Sequence, residues 1–214
     1  SVYPISGQRN DSVTITGNGY PQNTQVSLDF GNVESFTSAI VDFNGRFELP
    51  FSVPSHPRGL AEMRIRSSSL EIGHQTATFD VKGSLAVYPE NANVGNTLSI
   101  NAYAMLAGEE VKIHVRTDEI EGTADTVGRV QANYSLPELP NGEVSVELSS
   151  ENLLKPLISQ FNVTPRLKFD KASAAVGEVI NVRGTGFNPT EKVLIKVGEA
   201  IPATLSNILV DDRG

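Results

Sequence analysis

Alternation, composition and repetition together predict an all-β protein made of repeated two-sheet sandwiches. In "QVSLDF" (25–30) and "VKIHVRT" (111–117) every second residue is apolar and its neighbours are polar. That is the period of a strand with one buried and one wet face. Val, Ile, Leu, Thr and Ser dominate, whereas Met occurs twice and Trp not at all; β-branched side chains suit a pleated surface. No stretch sustains a 3.6-residue apolar period, so almost no helix is expected. Finally, "VTITGNGYPQNTQVSLDF" (13–30) returns as "INVRGTGFNPTEKVLIKV" (180–197).

The repetition extends through the chain. An offset of 85 carries "SVYP" (1–4) to "AVYP" (86–89), Val13 to Leu98, Ile15 to Ile100, Val26 to Val111 and Leu28 to Ile113. It slips to 83 further on, taking Gly45-Arg46 to Gly128-Arg129, Phe51 to Tyr134, Pro54 to Pro137, Pro57 to Pro140 and Gly59 to Gly142. An offset of 82 then takes Val94-Gly95 to Val176-Gly177, Leu98 to Ile180, Val111 to Val193 and Ile113 to Ile195. "DDRG" (211–214) aligns with "DFNG" (42–45). Modules are expected over 1–83, 84–166 and 167–214, the third incomplete, with short links at Lys82-Gly83-Ser84 and Thr164-Pro165-Arg166. Half a sandwich would leave strand edges and core open; a chain that continues, or strands supplied by another molecule, would close it, and continuation is the favoured expectation.

Within 1–83 the strands are expected at 2–5, 12–16, 24–30, 36–41, 46–52, 60–66 and 76–81. "DFNG" and "LPNG" read as turns, because Asn-Gly tolerates positive φ. About seven short strands per module, with turns every 8–12 residues or so, predict tandem immunoglobulin-like β-sandwiches. Gly17-Asn18-Gly19-Tyr20-Pro21 joins the second and third strands; its glycines permit crowded backbone, and Tyr20 is expected to fold back over the end of the sandwich. Gly184-Thr185-Gly186-Phe187 repeats this arrangement. The corresponding Asn101-Ala102-Tyr103-Ala104 keeps an aromatic without the glycines.

"VRGTGF" (182–187), "VLIKVG" and "EAIPATLSN" resemble the IPT/TIG-type immunoglobulin-like module, as do "ITGNGY" and "VSLDFG" in the first copy. The resemblance implies tandem modules of prokaryotic cell-surface, S-layer or adhesin-type proteins. It implies an extracellular, non-catalytic role and transfers no active-site residues.

A net charge of −8 opposes binding to phosphate backbones, so nucleic acid is not an expected partner. Cysteine is absent, so each module must be stable without disulfides. No signal peptide or membrane span is visible, so direct membrane insertion is not expected. His56, His74 and His114 have no metal-ligand spacing. No G-x-S-x-G elbow occurs, and "GNG" and "GTG" lack the rest of a phosphate loop. The densest acidic run, "TDEIEGTAD", holds Asp118, Glu119, Glu121 and Asp125. As a loop it has the oxygen chemistry of a calcium site but not the spacing of an EF-hand, and a solvated loop that blunts a sheet edge is the favoured expectation. Sequons at Asn10, Asn133 and Asn162 permit glycosylation. Tyr3/Tyr88 and Phe79/Phe161 recur in register and are expected in the cores.

The expectation is therefore a non-enzymatic structural segment of a prokaryotic surface protein, S-layer or stalk-like. Its expected partners are copies of itself or other envelope proteins. The rival functions are an adhesive or ligand-binding module, reading through exposed loops at 54–59 or 119–125, and an accessory arm of a large secreted enzyme.

Overall fold

A computed structural model describes residues 1–68, 74–196 and 208–214. Strands account for every regular element among them; no helix is found there. The whole "EAIPATLSN" stretch (199–207) and the last two residues of "VLIKVG" (197–198) lie outside the described residues.

The first eight strands are β1 (Val2–Tyr3), β2 (Ser6–Gly7), β3 (Ser12–Asn18), β4 (Gln25–Phe30), β5 (Val33–Ile40), β6 (Arg46–Ser52), β7 (Gly59–Ser67) and β8 (Gln75–Val81). They form a three-stranded sheet, β1-β3-β6, and a five-stranded sheet, β2-β8-β7-β4-β5. The next eight repeat the plan: β9 (Ser84–Tyr88), β10 (Asn91–Ala92), β11 (Thr97–Tyr103), β12 (Glu110–Val115), β13 (Asp118–Thr123), β14 (Val130–Ser135), β15 (Gly142–Ser149) and β16 (Leu157–Val163). Their sheets are β9-β11-β14 and β10-β16-β15-β12-β13. Tandem immunoglobulin-like sandwiches are thus what the chain forms.

The alternation places each core. In β6 the pattern RFELPFS buries Phe47, Leu49 and Phe51 and exposes the residues between them. Facing side chains from both sheets give one cluster that includes Val13, Leu28, Phe30, Met63 and Phe79, and a second that includes Leu98, Ile113, Val146 and Phe161. At about 25 cal/mol per Å² of apolar area removed from water, these clusters are the main favourable term for each sandwich.

Several expectations are corrected. The single strand at 2–5 is two: β1 pairs antiparallel with β3, the chain passes Pro4, and β2 pairs parallel with β8 in the other sheet. Pro89 separates β9 and β10 likewise. Proline cannot donate to a ladder, so a strand that changes sheets breaks there. Tyr3 and Tyr88 are not core residues; they are 82% and 74% exposed, whereas Phe79 and Phe161 are 0% and 1%. A repeated position reflects a repeated environment, and on an alternating strand that environment is as often the wet face. "DFNG" is a tight turn, but it joins β5 to β6 across the two sheets. Asp42 accepts bonds from the Asn44 and Arg46 amides at 2.8 Å each, and Gly45 has φ 73°. "LPNG" is no tight reversal but part of the crossover from β14 to β15.

Tyr20 does cover the end of the first core, edge-on to Phe47 at 5.1 Å. In the second sandwich that place belongs to Met105, not Tyr103. Ala104 takes the positive φ of Gly19, and Met105 N bonds Gly128 O at 2.9 Å as Tyr20 N bonds Gly45 O at 3.1 Å. Met105 is fully buried.

The C-terminal segment carries β17 (Arg166–Phe169), β18 (Val182–Thr185), β19 (Lys192–Val193) and β20 (Ile208–Leu209), paired β17-β18 and β19-β20. Lys168 faces Arg183 as Ala86 faces Asn101. Its apolar residues stay open: Phe169 is 53% exposed, Val176 108% and Val179 73%.

Candidate functional site

The most constrained polar group in the described residues lies where the sandwiches meet. Glu109 sits in the turn before β12, and its side chain is 0% exposed. Removing a carboxylate from water costs several kcal/mol unless partners replace the lost hydration. Four hydrogen bonds do so here. Arg58, from the β6–β7 crossover of the first sandwich, donates from Nη1 to Oε2 at 2.6 Å and from Nη2 to Oε1 at 2.9 Å. The Leu106 amide donates to Oε2 at 2.7 Å, and Ser150 Oγ donates to Oε1. Burial pushes the Glu109 carboxyl up, but Arg58, Ser150 and the Leu106 amide outweigh it and hold the group below its ordinary value. A planar guanidinium matches both carboxylate oxygens, which fixes direction as well as distance.

The neighbouring contacts have the same effect. The Arg58 amide donates to Ala104 O at 2.9 Å, and its Nη2 donates to Asn152 O at 3.0 Å. Gln8 Nε2 reaches the link at Gly83 O, 3.3 Å away. Arg9 lies 4.7 Å above the Tyr103 ring, with Arg129 at 5.9 Å. Ala104 is 4% exposed and belongs to the core cluster of the first sandwich. His56 meets Phe30 edge-on at 5.7 Å. The 54–59 loop is therefore a docked loop and not a free one.

A related contact follows the second sandwich. The Asn141 amide, in the β14–β15 crossover, approaches Phe187 O at 3.4 Å, and Asn93 Nδ2 holds the link at Thr164 O, 3.0 Å away. Here the ion pairs are exposed: Glu138 binds Arg183, and Arg213 at 3.2 Å.

The acidic run is not a loop. Asp118–Thr123 is strand β13, paired along β12, because Ile120 packs inward against Ile113 while Glu119 and Glu121 face His114 and Lys112. The carboxylates have separate occupations. Asp118 accepts from Tyr134 Oη at 2.7 Å; Glu119 pairs with Lys112 at 2.9 Å and lies 3.5 Å from His114 Nε2; Glu121 lies 4.0 Å from Lys112. Asp125 caps its turn through the Val127 and Arg129 amides. Burial, then Asp118, pushes the Tyr134 phenol up to about 12. Among the described residues no three His, Asp or Glu side chains converge in a way that could hold a metal ion. Asn10, Asn133 and Asn162 are all exposed.

Sequence reasoning missed Arg58 and Glu109. Each had one visible signal: Arg58 lies between a proline and a glycine matched in the next repeat, and Glu109 aligns with Thr24 and Glu191 at a recurring strand entry. Neither signal names the other residue.

Fold and junction define a tandem immunoglobulin-like β-sandwich protein whose first two sandwiches are joined by a buried ion pair. No protein-family model matches the chain, and no characterised protein matches it by sequence. Solved structures similar to it include the Yersinia pseudotuberculosis adhesin InvE (11% identity, TM-score 0.32, 76% of this chain and 57% of that one). Others are invasin, a bacterial integrin-binding protein (12%, 0.35, 80% and 42%), and Bacteroides ovatus SGBP-B, solved with a mixed-linkage heptasaccharide (9%, 0.36, 82% and 49%). The chain spans roughly half the length of each of these structures, from 42% to 57%. Among the described residues no helix is long and apolar enough to cross a membrane.

Proposed function

We propose that this chain is a non-catalytic structural segment of an extracellular prokaryotic surface protein, in which repeated units over 1–83, 84–166 and 167–214 set the spacing of whatever they carry. The observation that carries this reading is the Glu109 carboxylate, buried in one sandwich and neutralised by Arg58 of the other. A flexible string of domains has no use for such a pair, because freely moving domains keep their charges in water. Spin labels at Glu48→Cys and Gln131→Cys, equivalent exposed positions on β6 and β14, test it directly. A narrow distance distribution is expected, and a broad one refutes the reading. The cysteine-free sequence makes these the only thiols. Surface location is tested by protease accessibility on intact source cells.

In the finer version of this proposal the segment belongs to an S-layer or stalk and assembles with its own copies or other envelope proteins. Sedimentation velocity with and without millimolar calcium tests that version; a monomer indifferent to calcium sinks cation-bridged assembly. A second reading, an adhesive module, is favoured by Tyr3 and Tyr88, which stand exposed at equivalent places on the two three-stranded sheets. Loss of cell or ligand binding in Tyr3→Ala/Tyr88→Ala would select it.

A further inference from the structure

Each sandwich has a near pole, formed by the turn between its third and fourth strands, and a far pole, formed by the crossover between its sixth and seventh. The far pole of the first sandwich sits on the near pole of the second through Arg58 and Ala104. The far pole of the second meets the near pole of the C-terminal segment through Asn141 and Phe187. The near pole of the first sandwich has the same backbone and no cover among the described residues. The positive-φ residue shows this most clearly. Gly19 is exposed, and a Cβ added there meets nothing within 4 Å; its counterparts Ala104 and Gly186 are buried, and a Cβ on Gly186 would lie 2.7 Å from Thr164 O.

Chemistry also distinguishes this pole. Thr24 stands where Glu109 receives Arg58, while Thr16 and Asn44 stand where Arg183 and Arg213 bind Glu138. The charges that lock the other two poles are missing. In their place Phe43 is 83% exposed in the Asp42–Gly45 turn, whose Gly45 O accepts from the Tyr20 amide, and half-buried Tyr20 lines a groove of about 830 Å³ together with Val2, Ile5 and Phe47. An exposed apolar surface continuous with a repeated interface is a docking surface.

We infer that the Gly19–Tyr20–Phe43 pole receives a further β-sandwich of this repeat, seated by its β6–β7-type crossover with an uncharged residue at the Arg58 position. An arginine there would bury its charge against Thr24, and burial of an unpaired charge is costly. The second sandwich, with Asn141 at that position, has the required chemistry. This inference rests on the proposal that the sandwiches are held by docked junctions.

The test places residues 84–167 directly ahead of Ser1 in the full chain. That join keeps the natural register, since Leu85 and Leu167 precede Ala86 and Lys168, the counterparts of Ser1. One label pair spans the new junction (Gln131→Cys in the added copy with Glu48→Cys), and a second sample carries the original Glu48/Gln131 pair. The new junction is expected to give a narrow distribution that high salt leaves unchanged. Gly19→Asn should broaden it, since asparagine tolerates the left-handed backbone and adds bulk only where the partner sits. A broad new distribution beside a narrow original one overturns this inference and leaves the spacer reading intact; two broad distributions overturn both. Should the added copy fail to fold, residues 1–85 carrying Arg58→Asn, placed ahead of Ser1, provide the same test.

Discussion

Arg58→Ala is the most direct test of the junction, and its size follows from the contacts. Glu109 loses its counter-charge and two of its four hydrogen bonds, and keeps only the Leu106 amide and Ser150. Breaking a buried pair on one side costs about 3–5 kcal/mol. The two surviving donors place this case near the lower end, about 3 kcal/mol, or on the order of a hundredfold in the docked equilibrium. Most of that cost disappears if the junction opens and water reaches the carboxylate, so opening is the expected response. In spin-label distances between Glu48→Cys and Gln131→Cys the narrow peak should spread, while melting of the first sandwich changes little. Adding Glu109→Gln removes the stranded charge and should recover most of the loss. The pairwise coupling from this cycle is expected at about 1–3 kcal/mol. An unchanged distribution in Arg58→Ala, or additive single effects, would refute the argument that this pair holds the sandwiches together.

Three further predictions use other features. Because the Glu109 value is lowered in the folded chain, its contribution is complete above the ordinary glutamate value and is lost as pH falls through the lowered one. The label distribution should therefore be constant at neutral pH and spread in acid, and Glu109→Gln should abolish that acid limb. Gly128→Ala should cost at least about 2 kcal/mol, since φ is +75° and the new Cβ would lie 2.2 Å from Met105 O; Gly19→Ala, at φ +79° with open space, should cost about 1 kcal/mol in thermal melts. Phe79→Ala and Phe161→Ala should each cost about 3–5 kcal/mol, whereas Tyr3→Ala and Tyr88→Ala should stay within about 0.5 kcal/mol by denaturant titration.

Much of the fold was legible because its causes are local. Strand β6 was bounded correctly at both ends, since the pattern RFELPFS alternates without interruption between a Gly turn and the next proline loop. The acidic segment misled for the opposite reason. "DEIEGT" has a single strongly apolar residue, so nothing in its own pattern says strand, and it becomes one because β12 offers Lys112 and His114 across from its carboxylates. The tyrosines that end β1 and β9 misled through the repeat itself, which transmits exposure as faithfully as burial.

The sequence by itself determined the all-β class, the approximate positions of most strands along the first sandwich and the fact of repetition. Period-two alternation, turn residues and offsets are properties of neighbours along a chain, and they can be read there. Only the tertiary structure decided how successive sandwiches meet. Arg58 and Glu109 are 51 residues apart and occupy different, non-equivalent places in their own repeats. Each is an ordinary surface charge until the far pole of one sandwich closes on the near pole of the next and removes the water that would otherwise have solvated both.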